Sequence, residues 1–243
     1  MNNNILYLTL HKPPIYDYKN IMSYTERDII AMCEEAIKCP DTFYQNKFVN
    51  YKGFCKGNVK KLYTEIIADY LLKNIDKLNT IRTINRDKSY RITSHIGQKT
   101  NSNRREENLA IEMFHKKRCE FGMVLDYQIP LKNKQSDKGI GKIDLLAKKE
   151  DCIYILELKR EDNTETLLRC ILEVFTYFKQ VNHSRLLQDY NIEPKVKILA
   201  APLIYKEGFQ YQEYNDTKKH NKVIELMERL GVSSPFTYDS SRL

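Results

Sequence analysis

The chain has no tryptophan, and its six cysteines include no Cys-x-x-Cys pair and no histidine neighbour at zinc-ligand spacing. That argues against a structural zinc site and makes free thiols in a reducing compartment the expectation. Cys152 and Cys170 fall on apolar positions of a predicted strand and a predicted helix, as core thiols would. No apolar run approaches the roughly 20 residues needed to span a bilayer. The opening stretch MNNNILYLTLHKPP lacks a basic region ahead of an apolar one, so a cytoplasmic protein with no membrane partner is expected. His11, His95, His115, His183 and His220 stand in unlike contexts without an evident serine or cysteine partner, which leaves histidine-assisted nucleophilic chemistry unsupported. No repeat or low-complexity tract is visible. The missing tryptophan, beside abundant Asn, Lys and Ile, fits an AT-rich genome.

What is present is positive charge. Forty Lys and Arg against 32 Asp and Glu give a net +8, the balance of a protein that meets a polyanion such as nucleic acid. At 243 residues there is room for one large core, or for a core of about 150 residues with a smaller attachment. The organisation expected is a mostly helical N-terminal region, 1–95, and an α/β core, 96–243.

In the N-terminal region, Ser23 and Glu26 have capping-box spacing ahead of a helix expected over 24–38, stopped by Pro40. A second helix is expected over 59–78 with Asn58 as cap, since Leu62, Ile66, Ile67, Tyr70, Leu71 and Ile75 recur at helical intervals. Between them, Lys47, Lys52, Lys56, Lys60 and Lys61 interleave with Tyr44, Phe48, Tyr51 and Phe54. That mix suits backbone phosphates and stacked bases, or equally a solvated loop with a few anchoring rings. Residues 80–103 read as a basic junction with room for a short hairpin.

Beyond it the pattern is orderly: a helix over 103–118, strands at 122–131, 141–148 and 152–160, a helix over 164–182, a strand within KVKILAAPLI, and a closing helix capped by Asp216 and stopped by Gly231. Helix, three strands, helix, strand and helix make an α/β core with helices on the faces of a sheet.

The strand CIYILELK does not end as a buried strand should. Alternation puts Ile153, Ile155, Glu157 and Lys159 on one face and Cys152, Tyr154, Leu156 and Leu158 on the other. In GKIDLLA, Lys142, Asp144 and Leu146 share a face, with Ile143, Leu145 and Ala147 opposite. If these strands pair through a turn at 149–151, Asp144 and Glu157 lie at similar depth. Two carboxylates brought together repel, and burying them costs several kcal/mol unless a cation lies between them. Mg2+ suits such a place, taking one or two carboxylates together with substrate phosphate oxygens. Lys159 would then orient an attacking water and offset charge that develops on the phosphate. A second E-x-K, Glu193 to Lys195, carries a proline and precedes its strand, so it is a poor alternative.

Isoleucine–aspartate at 143–144, twelve residues, then Glu157-Leu158-Lys159, in α-β-β-β-α-β order, resembles the PD-(D/E)XK nucleases over roughly 100–205. Ile143 stands where that motif has proline. The resemblance implies a restriction-endonuclease-like core with a mixed sheet flanked by helices. It further implies Asp144 and Glu157 as metal ligands, with the Leu158 carbonyl as another, Lys159 as catalytic lysine, and Mg2+ as cofactor with Mn2+ able to substitute. The family often adds a glutamate from the preceding helix. Here Glu106 projects near the middle of the stripe made by Leu109, Ala110, Met113 and Phe114, with Glu107 on its flank as the fallback. Both also fit as first-turn acids complementing the helix dipole. On the helix after the site, Tyr177 and Gln180 resemble the polar residues such nucleases place near the substrate. Glu165, Arg169 and Glu173 read instead as an ion-pair ladder on a solvated face.

Basic residues flank the motif, namely Lys132, Lys134, Lys138, Lys142, the run 115–118 and Arg160, of which Lys142 and Arg160 are the expected phosphate contacts. The expectation is therefore a metal-dependent DNA endonuclease, DNA being favoured over RNA, and defence against foreign DNA is an associated role for a small nuclease of this kind. Two alternatives stand beside it: a non-catalytic nucleic-acid-binding module that keeps the fold, and a DNA-recruited subunit of a larger complex. In either case the N-terminal region would provide substrate, homodimer, partner-protein or regulatory contacts.

Overall fold

In the computed structural model the described residues are 24–95, 104–133 and 139–239. Helix α1 spans Glu26–Ala36, two 3₁₀ turns follow at Pro40–Gln45 and Lys47–Asn50, and α2 (Tyr63–Lys73) runs into the short α3 (Ile75–Leu78). After a 3₁₀ turn at Thr93–His95 come α4 (Arg105–Lys116), β1 (Arg118–Cys119), β2 (Gly122–Pro130), β3 (Lys142–Lys149) and β4 (Cys152–Lys159). The chain continues as α5 (Leu167–Gln180), α6 (His183–Asp189), β5 (Lys197–Tyr205), α7 (Phe209–Asn215), α8 (Asn221–Arg229) and β6 (Phe236–Tyr238). Among the described residues no helix is long and apolar enough to cross a membrane.

The protein is α/β. Its strands form one six-stranded mixed sheet in the order β1 to β6, antiparallel from β1 to β4 and parallel from β4 through β6. The β3–β4 hairpin turns through Glu150 and Asp151, with Glu150 at φ +53° and Lys149 paired to Cys152. The parallel β4–β5 step needs a crossover, and α5 with α6 supplies it.

Each face of the sheet buries a core. On one face Met113 of α4 packs with Phe121, Val124, Tyr127, Leu145, Ala147, Leu156, Leu158 and Leu203. The larger core lies on the α5 side and joins Ile29, Phe43, Tyr63 and Leu71 to Leu146, Ile153, Ile155, Leu168 and Val174, so residues on both sides of position 95 share it. Ile143, expected opposite Asp144 with Leu145 and Ala147, belongs to this larger core with Ile129. Strict alternation is lost beside Asp144, where Gln128, between the Tyr127–Leu145 and Ile129–Ile143 pairs, has φ +47°; the register shift of this strand pair lies further along, between Val124 and Asp126.

Several boundaries differ from the sequence expectation for local reasons. Helix α1 is capped by Thr25, which forms a reciprocal box with Asp28, rather than by Ser23, which lies outside the described residues. Helix α2 starts at Tyr63, not near Asn58, because 53–62 folds back on itself: Cys55 N donates to Lys61 O and Phe54 bridges Leu62. The helix expected to close the core is two helices. Asp216 ends α7 and accepts from Lys219 Nζ at 2.6 Å, while Gly231 at φ +70° does stop α8. Residues 80–92 hold no strand, and 96–103 lie outside the described residues.

Helix α5 is the hub. One side packs on β3, β4 and β5, and the other is covered by the two N-terminal 3₁₀ turns, α7 and α8. Of the polar residues singled out on it, Tyr177 and Gln180 are buried and Glu173 nearly so, and Thr176 beside them is buried too. The solvated ladder is thus a correction: Glu165 and Arg169 do pair at 2.8 Å, but Glu173 is turned inward beneath the N-terminal segment.

Candidate metal centre

Strand β4 delivers Glu157 and Lys159 to one face because side chains two apart point the same way. Their contact confirms it, with Lys159 Nζ 2.7 Å from Glu157 Oε1 and both residues 3 % exposed. Asp144 arrives from the start of β3, where the β3–β4 ladder has ended at Leu145–Leu156. With the ladder ended, its carboxylate takes the place of a strand partner. Oδ2 accepts from the Leu158 backbone N–H at 2.9 Å, and Oδ1 accepts from Gln128 Nε2 at 2.8 Å. The strained Gln128 backbone therefore sits at a side chain that orients a candidate ligand.

Glu106, in the first turn of α4, completes the set. Glu106, Asp144 and Glu157 each offer an oxygen, and these atoms lie within 4.8 Å of one another, the one cluster of metal-ligand type among the described residues. Of the two glutamates weighed on α4, the structure brings Glu106 into the cluster and leaves Glu107 out of it. Leu158, expected to present its carbonyl, contributes its N–H to Asp144 and its side chain to the core under α4.

The cluster lines a cleft of about 560 Å³, with Arg104, Lys132, Gly141 and Lys142 at its basic rim and Glu165, Arg169, Glu173 and Tyr177 along its α5 wall. Lys142 and Tyr177 thus reach the cleft. Arg160 lies in a separate shallow groove with Glu161 and Tyr238 and pairs with Asp162 at 3.1 Å, and Gln180 is buried at the far end of α5, outside the cleft lining. Lys134 and Lys138 lie outside the described residues. In the segment 44–61, Tyr44 and Phe48 are core rings and Tyr51 stacks on Tyr24 at 5.3 Å, so these aromatics anchor the chain, and only Phe54 is well exposed.

Burial and mutual repulsion raise the carboxyls of this cluster. Burial pushes Asp144 up to about 6 despite Lys159 nearby, and burial with the Asp144 charge pushes Glu106 up to about 7. Burial, Asp144 and Glu173 hold Glu157 well above the ordinary carboxylate range. Burial alone would lower Lys159, but Glu157 and Glu173 outweigh it and keep the ammonium charged. Glu157 Oε2 is buried with no hydrogen-bond partner, as an acceptor free for a water or a cation would be.

No family model matches the chain, and no curated protein or solved structure matches it. The chemistry of the site therefore rests on its geometry.

Sequence reasoning missed Glu165 and Glu173, whose carboxylates lie 2.9 and 3.2 Å from Lys159 Nζ. It also missed the chain of contacts behind them. Tyr177 Oη donates to Glu173 Oε1 at 2.9 Å and meets Tyr44 Oη at 3.2 Å, and Gln45 Nε2 donates to Tyr44 Oη at 3.0 Å and to Gly139 O at 2.6 Å. The Glu165 loop is held from both ends of the chain. Thr166 Oγ1 donates to Val49 O, Thr166 N donates to Asn50 Oδ1, and Gln210 Nε2 donates to Glu165 O. A helix stripe of acids, an arginine and a tyrosine carries no local sign that a segment 120 residues away will cover it.

Proposed function

We propose that this protein is a metal-dependent nuclease, a DNA endonuclease in its simplest form, on a restriction-endonuclease-like core. The observation that carries the reading is the convergence of carboxylate oxygens of Glu106, Asp144 and Glu157 within 4.8 Å, with Lys159 alongside on Glu157 Oε1 and Glu157 Oε2 left without a hydrogen bond. The observed run α4, β2, β3, β4, α5, β5 supports that fold, having the helix, antiparallel strands, crossover helix and parallel strand the resemblance asks for.

The donor set is all oxygen, which suits Mg2+, with Mn2+ as substitute. Asp144, Glu157 and Glu106 would hold the ion. Once bound, such an ion polarises a phosphate and lowers the pKa of a water. The chain's own residues do the rest. Gln128 and the Leu158 N–H fix the Asp144 carboxylate, Arg104, Lys132 and Lys142 at the rim meet the phosphate backbone, and Lys159 supplies permanent positive charge next to the reacting phosphate.

The test is incubation of plasmid, single-stranded DNA and RNA with Mg2+, Mn2+ or EDTA, using wild type beside Asp144→Asn, Glu157→Gln and Lys159→Ala. Cleavage that needs metal and falls at least 100-fold in all three variants is expected. Cleavage retained in all three would refute the reading. Salt-sensitive binding without any turnover would favour the non-catalytic module.

A further inference from the structure

Glu157 divides its two oxygens. Oε1 is 2.7 Å from the Lys159 ammonium, and Oε2 has no hydrogen-bond partner. The ammonium meets two more carboxylate oxygens, Glu165 Oε2 at 2.9 Å and Glu173 Oε2 at 3.2 Å. A four-carbon stem thus ends its ammonium inside a ring of three carboxylates drawn from β4, the loop before α5 and α5 itself. Its surroundings are those of a cation site, an oxygen cage of net negative charge, with the cation supplied covalently by the chain. An ammonium has three N–H donors and no acceptor; here two donate to Glu157 and Glu173, and Glu165 adds a third negative charge.

Two adjacent acid clusters therefore share Glu157: Glu106, Asp144 and Glu157 on one side, and Glu157 Oε1, Glu165 and Glu173 around the ammonium on the other. We infer that the Lys159 ammonium takes the place of a second metal ion, so that the centre holds a single divalent cation. This rests on the metal-centre reading above. Three features make the second cluster a built site and not an incidental ion pair. Lys159 is 3 % exposed, so its burial is tolerable only with full compensation. Glu173 is oriented by Tyr177. Glu165 is held in place through its own carbonyl by Gln210 and through its neighbour Thr166 by Val49 and Asn50, a support that a solvated surface pair does not have.

The inference alters what Lys159 does. Hydrogen-bonded to Glu157 and Glu173 and ion-paired with Glu165, it is a fixed charge that balances the pocket, and Glu165 and Glu173 are the positioning residues that hold it there.

The experiment is a count of Mn2+ ions per chain, using MnCl2 alone, by calorimetry and native mass spectrometry, with electron paramagnetic resonance to detect coupled Mn2+ pairs. Wild type should bind one ion. Lys159→Ala should bind two, with a coupled spectrum, and Lys159→Ala/Glu165→Gln/Glu173→Gln should return to one. A wild-type count of two overturns the inference, as does a folded Lys159→Ala that binds one. A wild-type count of none fails the metal-centre reading itself, which keeps the two failures distinct. Because Lys159→Ala leaves three acids uncompensated, its melting temperature should rise more steeply with Mn2+ than that of wild type. An equal or smaller rise overturns the inference even if the metal-free variant does not fold.

Discussion

A Cβ on Gly141 would lie 2.1 Å from Tyr177 Oη and 2.6 Å from its Cζ, so the entrance to β3 and the wall of α5 can meet only through a glycine. That approach is what lets Tyr177 reach Glu173 and Tyr44 together. Gly141→Ala should displace the ring, release Glu173, and cost about 1–3 kcal/mol in stability by overpacking. Denaturant melts check the stability, and a roughly tenfold fall in cleavage should accompany the loss. Unchanged stability would mean that the ring swings aside freely.

Glu157→Gln should separate stability from metal binding. Neutralising one of several buried acids relieves repulsion, so the metal-free variant should be more stable than wild type, by on the order of 1 kcal/mol. Wild type should gain about 2.7 kcal/mol from Mg2+ at a hundred times its dissociation constant, and the variant little or nothing. Thermal melts with and without Mg2+ give both numbers. A destabilised metal-free variant would show that the carboxylate is already compensated.

Asp126 ties residues 90–95 to the sheet and lies outside the cleft lining. Its carboxylate accepts from Tyr127 N at 2.8 Å, Ile92 N at 3.3 Å and Tyr190 Oη at 2.5 Å, and contacts His95 Nδ1 at 2.7 Å. Asp126→Ala would strand several buried groups, each costing about 1–3 kcal/mol, so a loss of about 3 kcal/mol or more is expected, with Asp126→Asn milder. Metal stoichiometry should not change. Equal losses in both variants would show that packing, not hydrogen bonding, matters there.

Glu213, buried in α7, accepts from Leu167 N at 2.5 Å. Burial pushes its carboxyl from 4.5 up to about 7, against that hydrogen bond and Lys52. The folded state therefore keeps a proton between pH 4.5 and 7 that the unfolded chain has released. Its contribution to stability falls as pH rises through that window, by about 3 kcal/mol at most. Glu213→Gln should flatten the pH dependence over this range and gain stability at pH 8. Parallel stability profiles for the two proteins would rule the effect out.

Much of the centre was legible from local rules. Period-two alternation puts Glu157 and Lys159 on one face whatever surrounds the strand, and a two-residue hairpin brings Asp144 to their depth. Glu106 could be singled out as an acid on an apolar stripe, although capping of the helix dipole would have explained it as well. The capping of α1 and the split of the last helix were less legible, since several polar residues competed for each position.

The sequence by itself determined the α/β character, the pairing of acid and lysine on one strand face, and the excess of positive charge, because each depends on periodicity or composition within a short window. Only the tertiary structure decided that α5 would be enclosed, that Glu165 and Glu173 would close on Lys159, and that Gln128 would break the alternation beside Asp144. Those outcomes depend on contacts between segments far apart in the chain, such as Tyr44 with Tyr177 and Glu165 with Gln210, and no local pattern encodes which distant segment will cover a given face.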